Sequence, residues 1–143
     1  MDAEFLEEAR LFAQATGEWR ANQQIDARVS APMRNVLEDL ASAGPSPVPA
    51  LARLERVSRQ HVQLQVDRLV ELGFVERRTN PAHRRSSLIA LSPAGRAWVE
   101  DARATEARAL SKLQPGISDS AVRDAVRVLA AWRDALTAVH SDQ

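Results

Sequence analysis

The sequence predicts an all-α protein carrying one small β-hairpin. Apolar residues recur at helical spacing through six segments of the 143-residue chain. Serine-based caps, two of them followed by proline, precede several of those segments. Two short β-like runs, Phe74 to Arg78 and Ser87 to Leu91, flank a polar tip at Asn80-Pro81-Ala82-His83-Arg84-Arg85-Ser86. An apolar content of 45% suits one globular domain with its own core, spanning 1–143.

In the first helix, from about Ala3 to the mid-twenties, Phe5, Ala9, Phe12, Thr16 and Trp19 form one face. Gly17 inside it costs on the order of 1 kcal/mol relative to alanine, so packing must hold this helix. Ser30 caps a second helix that turns Met33, Val36, Leu37 and Leu40 inward and stops at Gly44-Pro45. Ser46-Pro47 reads as a cap followed by proline, opening a short third helix with Val48, Leu51 and Leu54 inward. The fourth helix starts at Ser58, buries Val62, Val66 and Leu69, and ends at Gly73. After the hairpin, with Ile89 and Leu91 alternating inward, Ser92-Pro93 opens a fifth helix striped by Trp98, Ala102, Thr105, Ala109 and Leu113, which Pro115-Gly116 breaks. In the last helix Val122, Ala125, Leu129, Trp132, Leu136 and Val139 alternate steps of three and four, a seam that asks for another helix against it. Residues 30–95 thus form a winged helix-turn-helix unit. Segments 1–29 and 96–143 supply long flanking helices with more apolar surface than so small a unit covers, which predicts a two-fold dimer with Phe5, Phe12, Val122, Leu129, Trp132, Leu136 and Val139 at the interface.

The formal net charge is zero, but its distribution is uneven. Leu51 to Arg96 holds nine arginines against four acidic residues, while the segments before and after it are net acidic. The excess coincides with the fourth helix and the hairpin, an arrangement suited to presenting one helix and one arginine-bearing loop to a duplex. With Val62, Val66 and Leu69 buried, about 100° per residue places Gln60, Leu64 and Asp67 opposite, and His61, Gln63 and Arg68 on the flanks. Gln60 or Gln63 matches adenine N6 and N7, Leu64 a thymine methyl, and Arg59 or Arg68 a phosphate or guanine. Ser58 caps this helix and can aim its N-terminus at a phosphate. Arg84 and Arg85, with His83 beside them, suit the narrow, electronegative minor groove.

Other chemistries have little support. The chain has no cysteine, and His61, His83 and His140 lack the close spacing of metal ligands. No phosphate-binding glycine loop, nucleophile motif or distinctive carboxylate pair is present, so neither an enzyme nor a cofactor is expected. No apolar run approaches the roughly 18 residues of a membrane span, and Met1-Asp2-Ala3-Glu4 lacks the basic start of a signal peptide, so a cytoplasmic location is expected.

The order and spacing of Leu51-Ala52, Val57-Ser58-Arg59, Val66-Asp67-Arg68-Leu69, Leu72-Gly73-Phe74-Val75-Glu76-Arg77, Asn80-Pro81, Arg84-Arg85-Ser86 and Leu91-Ser92 leading to Gly95 resemble the MarR family of bacterial winged-helix regulators. The resemblance implies a homodimer joined by its terminal helices, a palindromic operator in double-stranded DNA, and in many members a small ligand in the crevice beside the winged unit. Such a protein is expected to act as a repressor released by a small apolar or aromatic effector, with Trp19, Met33, Leu37 and Trp98 as pocket residues. One position departs from the pattern: two residues before Arg85, where the family usually has an acidic side chain, stands His83. That departure and the zero net charge favour a second reading, a winged interaction module that antagonises another regulator without binding DNA.

Overall fold

The computed structural model describes residues 3–113 and 115–141, without the side chains of residues 140 and 141. In chain order the elements are α1 (Ala3–Asn22), α2 (Ala31–Ala43), β1 (Ser46–Pro47), α3 (Val48–Glu55), α4 (Arg59–Glu71), β2 (Val75–Arg78), β3 (Leu88–Leu91), α5 (Pro93–Ser111) and α6 (Asp119–Ser141). They fall into two compact units, Met1–Arg108 and Ala109–Gln143.

The first unit has one core. Met33, Val36, Leu37 and Leu40 of α2 meet Leu51 and Ala52 of α3, Val62, Val66 and Leu69 of α4, the sheet residues Val75, Ile89 and Leu91, and Val99 of α5. Each large side chain so enclosed contributes about 1.5–3 kcal/mol relative to exposure, and together they fix how the short helices stack. The serines mark three helix starts. Ser30 Oγ accepts from Met33 N at 3.4 Å, Ser58 Oγ from His61 N at 3.0 Å and Ser92 Oγ from Gly95 N at 3.0 Å. Each bond satisfies a backbone donor that the helix leaves open. Gly44 (φ 80°) follows α2 and Gly73 (φ 77°) turns the chain from α4 into the wing.

Ser46-Pro47 does not cap α3. These two residues form β1, paired antiparallel with β3 through Ser46 opposite Ile89, and the sheet order is β1-β3-β2. Pro47 occupies the cap position without a side-chain bond, and the Ser46 hydroxyl donates instead to the Gly44 carbonyl at 3.0 Å. β3 is therefore a central strand. Ile89, Ala90 and Leu91 are all buried, where alternation predicts an open Ala90. Leu54 is also displaced from its expected place and is 58% exposed. The inward face of α3 runs through Val48, Leu51, Ala52 and Glu55, and Leu54 lies more than a quarter-turn from it.

α1 places Phe5, Ala9, Thr16 and Trp19 on a half-buried face, whereas Phe12, in the same predicted stripe, is 63% exposed. α5 enters the core at Gly95, Val99 and Ala102. Gly95 permits a close approach: a Cβ there would overlap the Phe74 carbonyl oxygen and stand 2.8 Å from its carbon. A charged cluster joins α1, α2 and α5. Arg34, almost fully buried, pairs with Glu106 and donates to the Arg20 carbonyl at 3.2 Å; Arg20 Nε reaches Glu106 at 3.1 Å; and Arg103 reaches Glu38 at 2.8 Å.

In the second unit α6 is the main element, and its seam residues Val122, Leu129, Leu136 and Val139 are exposed in the single chain, with Trp132 at 36%. No helix among the described residues is long and apolar enough to cross a membrane.

Candidate nucleic-acid interface

The wing begins at Arg78 and returns at Leu88. Asn80, itself buried, accepts a bond from Ala82 N on its Oδ1 at 3.0 Å, which turns the chain without a strand partner. His83 O accepts from Ser86 N at 3.0 Å, closing a four-residue turn. Arg84 and Arg85 take its two central positions, where side chains project into solvent.

α4 stands beside this wing because Val62, Gln65, Val66 and Leu69 face the core. The predicted phase holds, with Gln65 as an additional buried residue that the apolar stripe did not signal. Ser58, Arg59, Gln60, His61, Gln63, Leu64 and Arg68 are all exposed. A groove of about 430 Å³ runs between the N-terminal half of α4 and the base of the wing. Its walls include Arg59, Gln60 and Gln63 from α4, Arg77 from β2, Arg85, Ser86 and Ser87 from the wing, and Pro49 from α3. The fold therefore brings Arg59, Gln60, Gln63 and Arg85 to one place. His61, Leu64, Arg68, His83 and Arg84 are exposed in the same unit but do not line this groove.

Arg77 was not legible as a site residue. Its guanidinium pairs with Asp67 of α4, and Asp67 Oδ1 also accepts from Gln63 Nε2 at 2.9 Å. A charged residue on a short strand gives no sign from sequence of which helix residue it will meet.

A second cavity of about 460 Å³ opens where the end of α1, the segment 23–30, the start of α2 and Trp98 of α5 converge. Trp98 lines it and is held there: its Nε1 donates to Asp26 Oδ2 at 3.2 Å, and its ring lies 6.3 Å from that of Phe74. The hydrogen bond from Arg28, whose guanidinium also sits 5.5 Å from the Phe74 ring centre, holds the Asp26 carboxyl at about 2. Three of the four expected pocket residues do not line this cavity. Met33 and Leu37 are sealed in the core at 2% and 0% exposure, because they share the inward face of α2 with Val36 and Leu40, and Trp19 is half-buried without lining the cavity. The walls are mixed: Arg20, Gln23, Asp26, Arg34 and Asn35 alternate with Ala21, Ile25, Ala27 and Val29 around Trp98.

Residues 30–87 match the family model described as MarR family. No curated protein sequence matches the chain. Among solved structures, a MarR family protein from Bacillus stearothermophilus is similar over 96% of this chain and 99% of its own, at 20% identity and a TM-score of 0.76. RV1404 from Mycobacterium tuberculosis is similar over 94% of each chain, at 25% identity and a TM-score of 0.74. BpsR from Bordetella bronchiseptica, whose DNA binding is regulated by 6-hydroxynicotinic acid, is similar over 90% of this chain and 98% of its own, at 21% identity and a TM-score of 0.63. The winged segment, residues 30–87, thus matches the MarR family model, and the helices and sheet of the chain are arranged as in these structures.

Proposed function

We propose that the protein is a transcriptional repressor that binds a palindromic operator in double-stranded DNA as a homodimer and is released by a small effector. The observation that carries this reading is the shared groove. Gln60 and Gln63 at the start of the recognition helix α4 stand beside Arg59 and the wing residue Arg85, so amides able to read base edges lie between cations able to hold phosphates. Ser58, His61, Leu64 and Arg68 extend the contact along α4, and His83 and Arg84 extend it along the wing.

Dimerisation supplies the second recognition helix. The exposed seam of α6, with Val122, Leu129, Trp132, Leu136 and Val139, and the apolar residues Phe5 and Phe12 of α1 offer the surface that a two-fold partner would cover. The mixed cavity beside Trp98, with apolar walls at Ile25 and Val29 and polar groups at Arg20, Asp26 and Arg34, supports an effector with an aromatic ring and hydrogen-bonding substituents.

Selection of genomic fragments by the purified protein tests the reading. Enrichment of one inverted repeat, with binding lost when five base pairs are inserted at its centre, is expected, because half a helical turn moves one recognition helix to the wrong face. Flat recovery of all fragments would favour the alternative, an interaction module without duplex binding, which the zero net charge and His83 support.

A further inference from the structure

We infer that Asp67 and Arg77 act as positioning residues that fix the side-chain amide of Gln63 so that it reads adenine, and this rests on the DNA-binding reading above. A glutamine amide on a helix surface can present its oxygen or its nitrogen to a base with little difference in energy, and in that state it discriminates poorly. Gln63 is not in that state. Its Nε2 donates to Oδ1 of Asp67, one helical turn further along α4, at 2.9 Å. A carboxylate accepts and cannot donate, so the amide nitrogen must face Asp67 and the amide oxygen must face away from it.

Asp67 is held in turn. The Arg77 guanidinium, arriving from β2, pairs with the same carboxylate oxygen, so the acceptor is anchored from a second element rather than left to rotate on α4. Arg77 also supplies the charge that lets a carboxylate stand close to a phosphate-lined groove without net repulsion. Both Gln63 and Arg77 line the groove that holds Gln60, Arg59 and Arg85.

The chemistry of the fixed amide selects the base. The oxygen accepts one hydrogen bond, and the N–H that Asp67 leaves open donates one. Adenine offers that pair in the major groove, an N6 amine and an N7 acceptor. Guanine offers two acceptors, O6 and N7, and leaves the amide oxygen facing an oxygen. A free amide could flip to reduce that conflict, and the Asp67 bond removes the option, so specificity comes from what the network forbids as much as from what it permits.

The test uses the full chain and the operator recovered by fragment selection, scanned with all four base pairs at each position. Gln63→Ala identifies the base pair that Gln63 reads. Asp67→Asn, which can either accept from or donate to the glutamine, should lower discrimination at that same base pair by roughly tenfold, the scale of a good bidentate contact. Arg77→Gln should do the same, and Arg77→Lys, which keeps the charge, should restore part of the preference and remains informative if Arg77→Gln unfolds. A merely structural role would weaken all sequences alike and leave the ratios between them unchanged, and that result overturns the inference. A change at a different base pair in Asp67→Asn means that Asp67 contacts DNA by itself and likewise overturns it. If Gln63→Ala changes no base preference while the wild type binds its operator, the inference fails and the DNA-binding reading stands. If the wild type enriches no sequence at all, that reading falls and takes the inference with it.

Discussion

Asp39→Asn should stabilise the protein above neutral pH. Asp39 lies on α2, close to Glu55 at the end of α3, and its Oδ2 is buried without a hydrogen-bond partner. Burial pushes its carboxyl up to about 7 from 3.8, helped by a hydrogen bond to Glu55 and by the negative charges of Glu55 and Glu38. Glu38 is itself paired with Arg103 at 2.8 Å and Arg20 at 3.5 Å, and Asn35 donates to Glu55 at 3.0 Å. The folded state therefore keeps a proton that the unfolded chain releases. The associated stability is complete below about pH 4, is lost as pH rises toward 7, and changes no further above that. At about 1.4 kcal/mol per tenfold, the full shift would amount to about 4 kcal/mol. The carboxyl is partly open to solvent, and screening reduces this to about 1–2 kcal/mol. Asparagine removes the charge and keeps the shape, so at pH 8 the variant should be more stable by that amount, or roughly 3–7 °C in Tm for a chain of this size. Urea denaturation followed by circular dichroism, at fixed ionic strength from pH 4.5 to 8, measures the difference between wild type and variant, in which other titrating groups cancel. Parallel stability curves for the two proteins, or a variant less stable at pH 8, would refute the argument.

Gly95→Ala should destabilise the first unit by about 3 kcal/mol or more, because the new Cβ meets the Phe74 backbone and not a flexible side chain; a wild-type urea midpoint would mean that the start of α5 yields freely. Arg56 ends α3 in the left-handed region at φ 54°, so Arg56→Gly should raise stability by about 0.5–1 kcal/mol in the same assay, and a loss would mean that its side chain holds the turn. Leu129→Asp with Leu136→Asp should give a monomer by light scattering at micromolar concentration, since both residues are exposed in the single chain on the proposed seam; a persistent dimer would place the interface elsewhere.

Much of the fold was legible because its signals are local. Ser30, Ser58 and Ser92 each stand immediately before an amphipathic run, and a cap bonds a donor only three residues away, so short-range sequence contains the whole interaction. The same reasoning fails at Ser46-Pro47. The cap-then-proline pattern is present, but the backbone of Ser46 is claimed by Ile89, 43 residues later, and no local pattern encodes that pairing. Ala90 follows from the same cause: once β1 lies on the far side of β3, the strand is central and its alternation no longer divides core from solvent. Leu54 shows a narrower limit. In a helix of only eight residues, a phase error of one position exchanges an inward leucine for a glutamate, and Glu55 takes the place that Leu54 was expected to fill.

The candidate site divides along the same line. Which residues of α4 face outward follows from 3.6-residue periodicity once the apolar stripe is known, and Gln60, Gln63 and Leu64 are all exposed as that phase requires. What those residues meet depends on how the wing folds back, and periodicity says nothing about it. Arg77 reaches Asp67 across ten residues and two elements, and through Asp67 it constrains Gln63, which as an isolated helix glutamine carries almost no information. The mixed character of the cavity beside Trp98 has the same origin. Trp98 was recognisable as an aromatic at helical spacing, but its partner Asp26 lies 72 residues away in an irregular segment, and that pairing, together with Arg20 and Arg34, adds charged groups to a pocket expected to be apolar. Residue types therefore point to a candidate surface, while their neighbours across the fold determine the chemistry it can perform.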